Sequence, residues 1–342
     1  MSAPVLFIGL PIVLAIAAYG LHRSRWLEAA VASGALALLA LLALRLPLSE
    51  PISWLGGAVI DDSFVVLGRV FRVEPVDRLS TAFIYLQAAL LFVGAALTEA
   101  RRWYVPAGLV IVGLLAAALF IQPFVFAALF LELASALAVG MLADPTHPVT
   151  RGAFRFLVFM TIGMAFILIS GWLLEAVRLN PDDPALTLRA TVMLGVGFAV
   201  LMGVVPFHSW LPVVAEHSPP LSAVFVFTVM GFPAVFLLLN FLSTYPWLNQ
   251  NPAVYRVLTL VGGGMVLAGA LVVVGQRNFG RALGYAMLID VGASLLAVGL
   301  GTLPGVEAAL GVLALRGLAL TLWGIGLDQL RRACAERHCH AR

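Results

Sequence analysis

VPFHSWLPVVAEHSPPLSAV, residues 205–224, is a polar, proline-rich stretch between two long hydrophobic runs. Each proline removes a backbone N–H and clashes with the preceding turn, so a helix cannot continue through it unchanged. Broken backbone at membrane depth persists only where protein or a water-filled cavity satisfies its polar groups. In transporters such breaks often mark an ion path. The stretch therefore indicates a membrane protein that contains an interrupted helix.

The composition assigns the rest of the chain to the membrane as well. Of its 342 residues, 62% are hydrophobic and 11% are charged, and the mean hydropathy is +1.05. A soluble domain would need more polar surface, and the alternation of a membrane barrel is missing from the sequence. We predict an all-α polytopic membrane protein with about eleven spans of about 20 residues each. The predicted spans are 4–20, 27–46, 79–98, 103–121, 122–143, 152–174, 186–205, 219–243, 254–275, 281–302 and 304–327.

The sequence also predicts features of two segments outside the central hydrophobic runs. The longest connection, residues 47–78, has mixed charge and two partly apolar pieces, ISWLGGAVI and SFVVLGRVF, which predict a short hairpin or an amphipathic piece. The N-terminal run has no positively charged residues before it, so we expect a retained first span and not a cleaved signal peptide.

The basic residues predict the orientation. All 20 are arginines; with eleven spans, twelve fall on one side of the membrane, seven fall on the other, and Arg316 lies within a span. The side richer in arginine should be cytoplasmic, which places the N-terminus outside and a basic tail, 328–342, in the cytoplasm. The sequence has no basic patch with interleaved aromatics, so the expected surroundings are lipid and not nucleic acid.

The tail also contains two cysteines and two histidines, Cys334, His338, Cys339 and His340. Their spacing matches no standard zinc pattern, so we expect no metal site. The chain has no glycine-rich phosphate loop, no haem motif and no nucleophile–base arrangement. We therefore expect no catalytic residue and no cofactor bound by this chain.

Ionisable residues inside spans are costly and by default indicate function. The ion-path candidates are Glu132, Arg155, His208, Asp290 and Arg316. Glu132 is either a titrating group, with Arg155 as a candidate partner, or a hydrogen-bonded structural glutamate. His208 can titrate near neutral pH, but capping the carbonyls that prolines free is an ordinary use for a histidine.

Two of these candidates should lie at similar depths in the membrane on adjacent spans. Asp290 lies nine residues from Arg281, about 13 Å into its span at about 1.5 Å per residue. Arg316 lies eleven residues before Leu327, about 16 Å deep on the adjacent span. We predict an ion pair between Asp290 and Arg316, either a structural pair that neutralises two buried charges or part of a relay. Glu216 lies close to the predicted interface, as does His217, and we expect both to be solvated.

Residues 197–220 resemble the antiporter-like subunits of respiratory complex I, of multisubunit Na+/H+ antiporters and of membrane-bound hydrogenases. GFAVLMGVVPFHSWLP followed by PPLSAV is similar to the family's broken seventh helix and the start of its eighth. The matching motif residues are Pro206, Phe207, His208, Trp210, Pro212 and Pro219. Further similarities follow in the family's order, at Asp77, Glu132, Arg155, Gln276, Arg281, Tyr285 and Gly292.

The chain also departs from the family. Leu201 stands where the resemblance implies a seventh-helix lysine, and Phe232 stands where it implies an eighth-helix lysine. Gly280 replaces a basic residue, and Arg316 and Leu320 stand at the histidine and lysine positions of the eleventh span. The family usually has about fourteen helices in two inverted repeats. The resemblance thus implies a single transmembrane domain over 1–342, with a first repeat at 103–243 and a truncated second repeat at 254–327.

The resemblance implies a divergent antiporter-like subunit of a complex-I-related assembly in a bacterial-type plasma membrane. Its partners would be other membrane subunits of an NADH-quinone oxidoreductase-like, antiporter or hydrogenase assembly, with redox centres elsewhere. Because the intramembrane lysines are missing, we expect a structural or coupling role. The alternatives are a proton or sodium carrier that uses the ionisable candidates, and a scaffold or assembly protein without a role in conduction.

Overall fold

The structure is a computed structural model, and it describes residues 2–21, 23–52, 58–98, 100–143 and 151–336. Within these ranges ten helices are long and apolar enough to cross a membrane, and an eleventh apolar helix, Tyr104–Phe120, has 17 residues. Each of the eleven predicted spans corresponds to one of these helices. The all-α polytopic class is thereby confirmed. The chain forms two compact units, Met1–Met141 and Leu142–Arg342.

The first unit combines long helices with small strands. Its helices are α1 (Ala3–Gly20), α2 (Arg25–Arg45), α3 (Pro75–Leu97), α4 (Tyr104–Phe120) and α5 (Ala127–Leu142, whose last residue belongs to the second unit). Its strands are β1 (Pro51–Ile52), β2 (Ala58–Val59), β3 (Ser63–Val66), β4 (Arg69–Arg72) and β5 (Ile121–Gln122). β1 pairs with β2, and β4 lies between β3 and β5, all antiparallel.

A β-hairpin lies in the connection between α2 and α3. The sequence predicts either a hairpin or an amphipathic piece there, and the structure contains the hairpin. β3 and β4 are joined by Leu67 and Gly68, whose φ angles are +50° and +73°. Two positive φ angles match the right-handed twist of hairpin strands, which is why glycine is favoured in such turns. Phe64 lies opposite Phe71 in the resulting register.

Aromatic side chains form part of the core of the first unit. The Phe7 ring lies 6.5 Å from that of Tyr85 and 6.3 Å from that of Phe120, and all three side chains are fully buried. The Tyr85 hydroxyl donates to the Phe7 carbonyl oxygen, so its polar end is satisfied inside the unit. α3 starts with a reciprocal capping box between Glu74 and Asp77, which fixes its first turn.

The described residues of the second unit form helices joined by turns and loops, without a strand among them. Its helices are α6 (Arg151–Leu179), α7 (Pro184–Leu201), α8 (Trp210–His217), α9 (Pro220–Phe225), α10 (Gly231–Thr244), α11 (Pro246–Asn249), α12 (Pro252–Val274), α13 (Phe279–Val298) and α14 (Leu303–Glu336). A π turn, Val226–Met230, joins α9 to α10 in one span that is almost wholly enclosed by protein. Of the predicted tail, the structure describes 328–336, which continue α14, and the remainder lies outside the described residues.

Candidate functional site

The proline-rich stretch interrupts the helical course of the second unit. α7 ends at Leu201, and Gly203 follows with a φ of +64°, which glycine adopts without steric cost. The chain then passes through the cis peptide Val205–Pro206 and a 3-10 turn, Phe207–Ser209. α8 begins at Trp210. Residues 202–206 therefore lie outside any helix.

Close backbone contact holds α8 between α6 and α13. A Cβ on Gly284 would lie 2.5 Å from Pro212 Cα, and a Cβ on Gly152 would lie 2.8 Å from the Val213 carbonyl oxygen. A residue with a side chain cannot approach backbone this closely. The buried Trp210 ring packs against two phenylalanine rings at 5.4 and 6.1 Å. α8 is thus a tightly packed element of the bundle.

A polar cluster, which we call the Glu216 cluster, connects the end of α8 to α13. Arg281 Nε donates to Glu216 Oε2 at 2.7 Å, and Asn278 Nδ2 donates to Oε1 at 3.3 Å. Asn278 also caps α13, because its Oδ1 accepts the N–H groups of residues 280 and 281. The Glu216 side chain is only 20% exposed. The expectation that it is solvated is wrong, since Arg281 and Asn278 take the place of water.

Arg331 extends the Glu216 cluster to α14. Its guanidinium donates to the carbonyl oxygens of Ser218, Ala215 and Glu216 at 3.2 to 3.4 Å. The last carbonyls of a helix have no partner within that helix, and a cation at this end also favours the helix dipole. Arg331 thus caps the short helix from a residue more than a hundred positions away in the chain.

His208 and Trp210 place two buried polar ring atoms at the break. His208 Nδ1 and Trp210 Nε1 are both inaccessible to solvent, and neither has a hydrogen-bond partner among the described residues. The capping of a freed carbonyl, which we considered for His208, is therefore not made through Nδ1. A titrating role for His208 stays a prediction.

The predicted ion pair between Asp290 and Arg316 is present. Arg316 Nη1 lies 2.8 Å from Asp290 Oδ1, with 3% of the aspartate side chain and 45% of the arginine side chain exposed. Both carboxylate oxygens are buried, yet neither accepts a hydrogen bond of normal geometry within the described part of the chain. The two opposite charges of the pair neutralise each other at mid-span, and the Asp290 carboxylate oxygens could accept further hydrogen bonds. A role in a relay stays a prediction.

Apolar packing fills the two positions at which the resemblance implies lysines. A Cβ on Gly163 would lie 2.9 Å from Leu201 Cγ, so Leu201 occupies the space in front of that glycine. Leu201 is 5% exposed and Phe232 is 2% exposed. Neither side chain can gain or lose a proton, and both exclude water from their surroundings.

The remaining candidates lie in different units. Glu132 lies on α5 of the first unit, with its Oε2 buried, whereas Arg155 lies near the start of α6 in the second unit with an exposed side chain. Their pairing stays a prediction. Cys334 lies on α14 as a free thiol, and residues 338–340 of the tail lie outside the described residues.

The region of the chain that matches known proteins includes the candidate site. Residues 157–322 match a family model described as NADH:quinone oxidoreductase/Mrp antiporter, TM. This range contains the break, the Glu216 cluster up to Arg281, and the Asp290–Arg316 pair. NADH-quinone oxidoreductase subunit N of Erythrobacter litoralis is 30% identical over 199 residues, which are 54% of this chain and 40% of that protein. The chain spans less than half the length of the curated relatives it matches.

Solved structures share the fold at low sequence identity. A chain of the membrane-bound sulfane sulfur reductase, an archaeal respiratory membrane complex, has a TM-score of 0.78 at 17% identity, over 96% of this chain and 71% of that chain. A chain of the Mrp complex from Dietzia sp. DQ12-45-1b has a TM-score of 0.74 at 18% identity, over 95% and 64%. Together, the family model and the relatives support an antiporter-like membrane subunit similar to those of complex I and Mrp-related assemblies, and the solved structures share its fold.

Proposed function

We propose that this chain is a structural or coupling subunit of a complex-I-related ion-translocating oxidoreductase assembly and does not pump ions on its own. The observation that carries the proposal is the burial of Leu201 and Phe232 in apolar contacts. Proton relays in membranes use side chains that gain and lose a proton, and these two side chains do neither. In the proposed assembly, other subunits hold the redox centres and complete the ion path.

The large crevice of the second unit supports a chain that does not conduct. It measures about 760 Å³ and lies beside α7, α10 and α12. Its lining is mostly aliphatic and aromatic, and its few polar side chains include Asp182 and Asn251 near one end and Thr187 and Thr191 on α7. An ion needs polar groups or water along its whole route, because leaving water for an apolar medium is very costly. The crevice therefore suits acyl chains better than ions.

The packing of α8 supports the coupling part of the proposal. α8 touches α6 and α13 through glycines, and the Glu216 cluster fixes its end to α13 and α14. Packed helices held in this way move together, since interiors transmit strain and do not deform smoothly. A displacement of α13 or α14 would thus reach the break without any change in charge at Leu201.

An ion carrier is the second candidate function. The observation that favours it is the set of buried polar atoms at His208 Nδ1, Trp210 Nε1 and the Asp290 carboxylate. Buried polar groups of this kind often bind ordered water, and a chain of waters conducts protons. A scaffold or assembly role is the third candidate; unlike a coupling subunit, a scaffold would not alter ion movement in a fully assembled complex.

Flux measurements separate these functions. The purified chain in proteoliposomes should show no proton or sodium flux above protein-free liposomes, under a pH gradient or a membrane potential. Flux that is lost in Glu132→Gln or His208→Ala would instead establish the carrier. Co-purification with quinone-reductase or hydrogenase subunits is expected of both remaining functions. An assembled complex that couples redox chemistry to ion movement equally well with Glu216→Ala, at full subunit content, would favour the scaffold.

We further propose a bacterial-type plasma membrane location with the N-terminus outside and the C-terminus in the cytoplasm. The two cysteines of the chain, Cys334 and Cys339, both lie near the C-terminus and provide a direct test. A membrane-impermeant maleimide should label them in inside-out vesicles and not in intact spheroplasts. The reverse pattern would overturn the orientation and leave the coupling role untouched.

A further inference from the structure

Four arginines line a pocket at one membrane face of the first unit. The pocket measures about 270 Å³ and is lined by Arg23 and Arg25 from the α1–α2 connection and by Arg101 and Arg102 from the α3–α4 connection. Both connections lie on the same side of the membrane, because two spans separate them. The one acidic side chain among the described lining residues is Glu28. Among the described lining residues, positive charge therefore dominates.

Two helix N-termini add to the positive field. α2 begins at Arg25, and α4 begins at Tyr104, next to the lining residue Val105. Within the described residues, neither N-cap side chain, that of Ser24 or that of Trp103, accepts a first-turn N–H. A helix N-terminus carries about half a positive charge. In α4, Tyr104 N–H already donates to the Arg101 carbonyl oxygen and Pro106 has no N–H, so this helix contributes its dipole more than hydrogen-bond donors. Backbone N–H groups and guanidinium forks together match the oxygens of a phosphate.

The surroundings place the pocket at headgroup depth. Trp26 and Trp103, which are adjacent in sequence to the lining residues Arg25 and Arg102, are both exposed, and tryptophan concentrates at the membrane–water interface. Small side chains, Ala29, Ala95 and Ala96, form its floor between α2 and α3 and leave the arginines room to converge. Basic pockets between spans on the side rich in arginine are a known means of holding acidic headgroups.

We propose that this pocket binds the phosphate group of an anionic phospholipid of the phosphatidylglycerol type. The lipid glycerol would lie at the level of the indole rings, and the acyl chains would run down the outside of α2 and α3. The site is separate from the break and from the Asp290–Arg316 pair, and it does not depend on whether the chain conducts ions.

Native mass spectrometry of the full chain in detergent tests the site, with phosphatidylglycerol and phosphatidylcholine as probes. Wild type should retain one phosphatidylglycerol in preference to phosphatidylcholine. Arg23→Gln with Arg101→Gln should weaken retention about 10- to 30-fold, since each arginine near a headgroup contributes about 1 kcal/mol. The matched control, Arg45→Gln with Arg72→Gln, removes the same charge from the other face of the unit and should leave retention unchanged.

Three outcomes would overturn the proposal: equal retention of the two lipids by wild type, an equal loss in the control pair, or full retention in the Arg23/Arg101 pair. The first of these needs no variant, so the proposal stays testable if the glutamine variants fold poorly. Competition separates the sources of phosphate. Release of the lipid by millimolar inorganic phosphate would show a phosphate site open to soluble ligands, and persistent retention would show that the lipid itself is the ligand.

Discussion

Arg316→Leu should destabilise the protein strongly, because it leaves the Asp290 carboxylate without the cation that lies 2.8 Å away. Removing one partner of a buried ion pair costs about 3–5 kcal/mol, since an uncompensated charge remains. Protonation of the aspartate sets a ceiling on this cost. At pH 7, protonating a carboxyl of ordinary pKa, about 3.9, costs about 4 kcal/mol. We therefore expect a loss of about 3–4 kcal/mol in the free energy of unfolding.

A double-mutant cycle provides the assay, with unfolding followed by circular dichroism in mixed micelles. Asp290→Asn in the Arg316→Leu background should recover most of the loss at pH 7, because an amide needs no proton to become neutral. The control is Arg178→Leu, which breaks an exposed pair with Glu175 at 2.9 Å and should cost less than about 1 kcal/mol. Effects of the two Asp290–Arg316 changes that add within about 0.5 kcal/mol would refute the reasoning.

Three further changes test the packing around the break by thermal unfolding in detergent. Gly284→Ala should cost about 1–3 kcal/mol, because its Cβ would meet a proline backbone. The control Gly311→Ala faces open space and should be neutral or slightly stabilising. Equal effects of the two changes would contradict the close contact. Glu216→Ala should cost about 1–3 kcal/mol and make residues 202–219 accessible to protease. The control Glu175→Ala changes an exposed residue and should cost less than about 1 kcal/mol. Protection of Glu216→Ala from protease equal to that of wild type would count against the Glu216 cluster. Leu201→Lys should cost more than about 2 kcal/mol, since it buries an amine; a lysine that is tolerated there would mean that water reaches this position.

The helices of this protein follow from the sequence because lipid imposes a simple rule on backbone. Every polar group of a spanning segment must be satisfied within the segment, so about 20 apolar residues give a helix almost regardless of context. The hairpin was also predictable, since the Leu67-Gly68 turn separates two short apolar runs. The Asp290–Arg316 pair followed from depth alone, because two charges at the same level on adjacent spans have few other partners.

The Glu216 cluster was not predictable in the same way. Its hydrogen-bonded partners on different helices lie 62 to 116 residues apart, and no periodic pattern relates positions on different helices. Glu216 looks like any acidic residue near an interface until the positions of Arg281 and Arg331 are known. Gly152 and Gly284 likewise carry no local signal, because a glycine in a membrane helix is common and its closest neighbour is on another element.

The dependence of α8 on Arg331 has a consequence for biosynthesis. The guanidinium that caps Ser218 is synthesised 113 residues later, so at about 5–20 residues per second it arrives about 6–23 s after the helix end it serves. During that interval the nascent chain carries an interrupted helix whose terminal carbonyls lack their final partner. The end of α8 therefore acquires these hydrogen-bond donors only after α14 has been synthesised as far as Arg331.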